Sequence, residues 1–243
     1  MKKILWGLAC VLAALGCSSA SAVEDAAAPV DLGTSDAMPA DAGEEGVEAI
    51  RVIDDHFVMR VVSFTPGPCA GFGQEQMPDV IRGAPRGGGA LRGSLDVVSL
   101  GVEGEIVVSF EPNAIVDGEG ADFIVFENVF FAQGDESKPV AEVGEVSASE
   151  DGETWKTFPC SGPTPPYGTC AGWHPSYSSW ENEISPRDPS VAGGEAFDLA
   201  LIGLSKARFV RIRDKSGAVC ENGINTAGFD LDAVAIVHAE LSE

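Results

Sequence analysis

An all-β sandwich of the jelly-roll type is the fold class predicted by this sequence, on three observations. Eight short β-prone runs recur with turn residues between them, at 56–64, 95–100, 105–110, 121–127, 143–149, 154–158, 207–213 and 229–237. The chain carries 29 Gly and 15 Pro, which suits many reversals rather than long helices. Hydrophobic residues make up 44% of it, enough for a packed core.

Several runs alternate with period two. In 207–213, Arg208, Val210 and Ile212 share one face, while Ala207, Phe209, Arg211 and Arg213 share the other. Eight such strands in this length indicate a sandwich or jelly roll. The one helical signal is a short turn near 197–204. The segment 159–195 has few strand signals. At that length it reads as a functional or disulfide-stapled excursion.

The ends of the chain set the compartment. Residues 1–17 hold Lys2 and Lys3, then an apolar run too short to span a bilayer, the pattern of a secretion signal. Its end, Ala14-Leu15-Gly16-Cys17, resembles the bacterial lipobox, although Ala14 stands where Leu is usual. The resemblance implies cleavage before Cys17 and acylation of its thiol and amine. The alternative is ordinary signal peptidase cleavage at Ala20-Ser21-Ala22. Acyl chains would hold the protein to a membrane at about 0.8 kcal/mol per buried methylene. Ser18, not Asp, follows the Cys. By resemblance to sorting in enteric bacteria, that implies an outer membrane lipoprotein at the cell surface or periplasmic face.

Residues 18–50 hold no Lys, Arg or aromatic residue and carry eight acids. They read as a disordered, self-repelling acidic tether. Residues 51–243 form the predicted β-sandwich domain. The formal charge of -23 disfavours nucleic acid and anionic lipid surfaces as partners, since both select basic patches. After position 50 stand 30 acids and 13 bases, so the domain alone carries a net -17.

Outside the signal and Cys17 remain Cys69, Cys160, Cys170 and Cys220, an even number in an oxidising compartment. Of three pairings, Cys160–Cys170 would close a Pro/Gly-rich loop and Cys69–Cys220 would join the two ends of the domain. A zinc site is the rival reading. It lacks C-x-x-C spacing, and His is scarce.

The order of motifs resembles a family of bacterial cell-surface lipoproteins with a galactose-binding-like, discoidin-like β-sandwich. The matching pieces are GFGQEQMPDVIRGAPRGGG (71–89), GSLDVVSLGVEGEIVVSF (93–110), IVDGEGADFIVFENVF (115–130), VSASEDGETW (146–155), GGEAFDLALIGLSKARFVRIRD (193–214) and GFDLDAVAIVH (228–238). The resemblance implies a fold and a surface location, not a reaction.

Catalytic signatures are missing: no G-x-S-x-G elbow, no H-E-x-x-H and no phosphate loop. Among the three His, only His174 lies in the long loop; His56 and His238 sit in or beside predicted strands. Oxidised cysteines offer no thiol nucleophile. A carboxylate pair could hydrolyse a glycoside, but among 30 acids a pair means little.

A cation site is better supported. Asp117, Glu119 and Asp122 fall within D-G-E-G-A-D, a Gly-rich turn leading into a strand. Calcium takes six to eight oxygens, often from such turns. Asp230 and Asp232, two apart on a strand, are expected on one face, repelling each other unless an ion or a base lies between them. The D-L-D piece also resembles the C-terminal strand that supplies a calcium ligand in carbohydrate-binding sandwiches. Glu127, Asn128 and Asp198 are further candidates. The competing reading makes Asp117 and Asp122 ordinary turn residues and pairs Asp230 and Asp232 with Arg211 or Arg213. Such a calcium ion is expected to be structural.

A second candidate is the aromatic loop 165–183, with Tyr167, Trp173, His174, Tyr177 and Trp180. Exposed rings stack on the apolar faces of sugars, and Glu181 and Asn182 could bond hydroxyls. The competing reading is a small cluster packed under a stapled loop. The expected function is therefore a non-enzymatic surface lipoprotein with a calcium-stabilised sandwich that binds a glycan or another surface component. A structural or adhesive protein without a small ligand, and a carbohydrate-active enzyme, are the alternatives.

Overall fold

The computed structural model describes residues 54–221, 223 and 225–242. The expected signal, the acidic tether and Cys17 lie outside the described residues. No helix among the described residues is long and apolar enough to cross a membrane.

Fourteen strands follow in chain order: β1 Arg60–Thr65, β2 Val98–Ser99, β3 Glu105–Ser109, β4 Ala114–Val116, β5 Phe123–Glu127, β6 Phe130–Phe131, β7 Pro139–Val140, β8 Gly144–Ser149, β9 Lys156–Thr157, β10 Glu195–Phe197, β11 Lys206–Ala207, β12 Phe209–Asp214, β13 Asp230–Ile236 and β14 Ala239–Glu240. One sheet runs β1-β3-β12-β8-β9 and the other β10-β5-β13-β2, every pair antiparallel. A three-stranded piece, β11-β4-β14, and the hairpin β6-β7 complete the pairing. The expected all-β sandwich is thus the observed architecture. The turn near 197–204 is a single 3-10 turn, Leu199–Ile202, capped by Asp198.

The alternation in β12 explains the core. Val210 and Ile212 are buried and meet Ile106 and Val108 of β3 and Val146 and Ala148 of β8 in one apolar cluster. The facing sheet contributes Phe123, Val125, Leu231, Val234 and Ile236. Phe123, Phe158 and Phe197 stack at 4.9–5.9 Å between ring centroids. Two inner faces interdigitating in this way form the sandwich core.

β5 and β13 are buried along their whole length, unlike strands with one wet face. Their outer residues Ile124, Phe126, Ala233 and Ala235 pack with Phe57 and Ala192 in a second cluster. The long loop covers this outer face. Ser176 Oγ donates to the Glu127 carbonyl at 3.1 Å, and the Tyr177 and Ser178 amides both donate to the Ala192 carbonyl. A covered outer face explains the unbroken apolar run F-I-V-F at 123–126.

The disulfides follow the expected pairing, Cys69–Cys220 and Cys160–Cys170, with Cα–Cα distances of 5.5 and 4.5 Å. The first spans 151 residues of sequence and the second 10. A cross-link over a long loop removes more entropy from the unfolded chain. The Cys69→Ser/Cys220→Ser variant is therefore expected to lose about 4–5 kcal/mol, with Tm falling about 2–4 °C for each kcal/mol lost. Cys160→Ser/Cys170→Ser should cost less. Thermal melts under oxidising conditions check the order of the two losses.

Candidate functional site

Two groups of three acids among the described residues bring carboxylate oxygens within 4.8 Å of one another. They divide the sequence candidates. Asp117, Asp122 and Asp198 form one group, and Glu127 and Asp230 join Glu142 in the other. Glu119 and Asp232 belong to neither.

The first group is held by protein donors. Asp122, fully buried at the start of β5, accepts the Gly118 amide (2.8 Å) and His238 Nδ1 (2.9 Å) on Oδ1 and the Leu199 amide (2.7 Å) on Oδ2. Asp198 Oδ1 accepts the Ala200 amide at 2.8 Å, as a cap does. Asp117 is exposed at the rim. Asp122 thus ties the 117–122 turn, the 3-10 turn and the end of β13 together. Its charge is met without an added ion.

A bulge interrupts β13 at Asp232, next to Asp230. Leu231 pairs with Glu127 and Ala233 with Phe126, so Asp232 is an extra residue in β13. Parity changes there: Leu231 faces the main core, and so do Val234 and Ile236. Asp232 accepts the Arg86 amide with both oxygens, at 2.9 and 3.0 Å. Asp230 takes different partners in the second group. The competing reading puts Arg211 or Arg213 beside these acids. Arg211 instead stacks on Trp155 at 4.6 Å and lies 3.9 Å from Glu105, and Arg213 is exposed on the opposite sheet.

The second group sits where β5 ends and β13 begins. Glu127 is the last residue of β5, Asp230 the first of β13, and Glu142 lies between β7 and β8. Glu127 is 2% exposed. Its Oε1 accepts the Asp230 amide at 3.2 Å, but its Oε2 is buried with no hydrogen-bond partner. Glu142 Oε1 accepts the Gly228 amide at 3.0 Å. Asp230 Oδ1 accepts the Ser99 hydroxyl, and its carboxylate also takes a bond from the Asn128 side chain. Asn128 Oδ1 in turn accepts the Ser94 amide. A Cβ at Gly93 would lie 2.5 Å from Asn128 Oδ1, so a larger residue there would displace the Asn128 side chain.

Electrostatics single this group out. Burial, then Asp230 and Glu142, push the Glu127 carboxyl well above the usual range. Burial, then Asp230, pushes Glu142 up to about 8. Burial raises Asp230 to about 6, against the bonds from Ser99 and Asn128. No Lys or Arg is among the groups acting on the three. Buried acids without a cation hold protons or need a metal.

Glu142 escaped the sequence reading because no motif or periodicity marks it. Glu195 escaped likewise: buried, it accepts the amides of Gly172 (2.6 Å), Trp173 (2.9 Å) and His174 (2.6 Å) and fixes the long loop. Only the placement of β10 against β5 exposes its role.

The aromatic loop splits in two. Tyr167 and Trp173 pack at 5.4 Å, Trp173 lies against His174, and Trp173 Nε1 donates to the Cys170 carbonyl. That half is a packed cluster beside the disulfide. Tyr177 (42%) and Trp180 (65%) are exposed, with the Arg86 guanidinium 5.7 Å from the Trp180 ring. Trp180 is thus exposed, whereas Trp173 is half-buried. Of the pair Glu181 and Asn182, Asn182 bonds within its own loop, to the Tyr177 carbonyl and the Ser179 amide.

The shifts fix a pH dependence. A carboxyl whose pKa is raised on folding holds its proton more tightly folded than unfolded. Its contribution is full below the ordinary 4.5 of Glu142 and is lost as pH rises through about 8. In EDTA, the domain is expected to melt highest near about pH 5 and lower toward about pH 8. Glu142→Gln should flatten that slope. A melting temperature that climbs between those limits would contradict the assignment.

No protein-family model matches the chain, and no curated protein matches it.

Proposed function

We propose that this is a non-enzymatic surface protein whose β-sandwich holds calcium in the Glu127–Glu142–Asp230 pocket and binds a glycan or another surface component. One observation carries the reading: Glu127 Oε2 is buried without a hydrogen-bond partner, beside two more carboxylates, in a cavity lined by no Lys, Arg or His. Leaving ions buried and unpaired costs several kcal/mol each, which a bound cation removes. The donors are all oxygen, with neither Cys nor His among them, so a hard cation fits better than zinc. The irregular arrangement from three separate segments suits calcium, which tolerates varied geometry, over magnesium, which demands an octahedron.

The resemblance to galactose-binding-like surface lipoproteins supports the same reading. Three of its motif pieces supply the pocket: 93–110 gives Ser94 and Ser99, 115–130 gives Glu127 and Asn128, and 228–238 gives Asp230. The lipobox-like Cys17 and the two disulfides accord with export to an outer membrane surface.

The same cleft favours one second reading. Glu142 raised to about 8 and Asp230 raised to about 6 are a protonated and an ionised carboxyl near pH 7, the division of labour in retaining glycosidases. Three carboxylates converging on one point suit an ion better than two flanking a bond. Glu127 adds a third acid that the hydrolytic scheme does not need.

Calcium titration at about pH 8 after EDTA treatment separates these readings. At 100 times Kd, calcium should stabilise by about 2.7 kcal/mol, raising Tm by about 5–10 °C. Glu127→Gln and Asp230→Asn should abolish the shift. Asp122→Asn should lower the starting Tm yet keep it. A shift lost only in Asp122→Asn would move the ion to the other group. Turnover of aryl glycosides that disappears in Glu142→Gln would make the protein an enzyme.

A further inference from the structure

The pocket continues beyond its carboxylates. Glu127, Glu142 and Asp230 line a cavity of about 240 Å³. Phe72, Leu95, Phe130 and Val140 form the apolar part of its wall. Leu95 is 82% exposed and Val140 44%, so this wall opens to solvent. Phe130 and Val140 are cross-strand partners in the β6–β7 hairpin, which fixes them side by side.

An oxygen count shows what the cavity is open to. Glu127 Oε1 is taken by the Asp230 amide, Glu142 Oε1 by the Gly228 amide and Asp230 Oδ1 by the Ser99 hydroxyl. Glu127 and Glu142 therefore each keep one oxygen for an ion, and Asp230, whose carboxylate also takes a bond from the Asn128 side chain, brings a third oxygen within reach of both. Calcium takes about six to eight, so about three to five positions remain for groups arriving through the cavity. The buried, donor-less Glu127 Oε2 is the independent sign that an ion belongs at the base.

The wall and the charge narrow the class of ligand. No Lys, Arg or His lines the cavity, and the domain carries a net -17, which disfavours phosphate or carboxylate ligands. A neutral polyol meets both halves of the pocket. Adjacent hydroxyls can replace water on calcium, while apolar C–H groups lie against an aromatic ring. Cavities for drug-sized ligands run about 300–1,000 Å³, so this smaller one suits a single sugar unit.

We infer that the pocket binds one neutral pyranose, with two adjacent hydroxyls completing the coordination of the cation and the ring seated on Phe130. This rests on the calcium reading above. It makes the ion a ligand-exchanging centre rather than a purely structural one.

Terbium luminescence tests both layers separately. With terbium in place of calcium, decay rates in H₂O and D₂O count the waters on the ion. About three to five are expected in the wild-type domain. Methyl pyranosides of mannose, galactose, glucose and fucose are then added at millimolar concentration. At least one should displace about two waters, and the same sugar with its hydroxyls methylated should displace none. Phe130→Ala should weaken that sugar's effect about two- to tenfold, the order expected for losing a stacked ring, while leaving terbium affinity unchanged. Terbium bound with its waters untouched by every pyranoside would overturn the sugar inference and leave the cation reading standing. Terbium bound with no water would do the same. Terbium that fails to bind, or binds equally to Glu127→Gln, would overturn the cation reading itself.

Discussion

Glu127 sits at the end of a strand buried on both faces, and it is an acid with one oxygen left without a donor. The rest of the pocket depends on how that charge is met. Its neighbours make matters worse: Asp230 lies opposite on β13, Glu142 comes in from the β7–β8 connection, and Asp214 adds a further negative field. In a core of this density, three acids with no basic partner are kept together by protons or by a cation.

The sandwich explains why they meet. β5 and β13 pair antiparallel, so the end of one lies beside the start of the other. The bulge at Asp232 shifts the register, and beyond it Leu231 still pairs with Glu127, which sets Asp230 beside that acid. The loops then close over it. Ser94 and Ser99 brace Asn128 and Asp230, while Ser176 and the Glu195 lock hold the long loop against the outer face of β5. The two buried acids Glu127 and Glu195 illustrate opposite solutions. Glu195 is satisfied by three backbone amides and is structural. Glu127 receives one amide and is left with a spare oxygen beside a cavity.

The architecture was largely legible in the sequence. Every expected run from 95–100 onward contains or overlaps an observed strand, because alternation in β12 and unbroken apolarity in β5 are direct marks of burial. The first run, 56–64, overlaps β1, which reaches one residue further, to Thr65. Six short strands, β4, β6, β7, β10, β11 and β14, span only two or three residues each and leave no period to read. The site was half legible. Glu127, Asn128 and Asp230 stood in distinctive motifs, but the D-G-E-G-A-D turn looked the stronger candidate. Its Gly residues and acids suit a calcium loop equally well as a turn closed by its own amides. Only the structure supplies the donors that satisfy Asp122. Period two placed Asp230 and Asp232 on one face, but it carried no sign of the bulge at Asp232. Glu142 had no signal, since its place depends on which loop folds over the sheet end.

The most direct test of the central claim is anomalous diffraction from crystals grown in calcium or soaked in terbium. A peak about 2.3–2.6 Å from Glu127 Oε2, with oxygens of Glu142 and Asp230 around it, is the result this account predicts. No peak there, or one between Asp117, Asp122 and Asp198 instead, would contradict it.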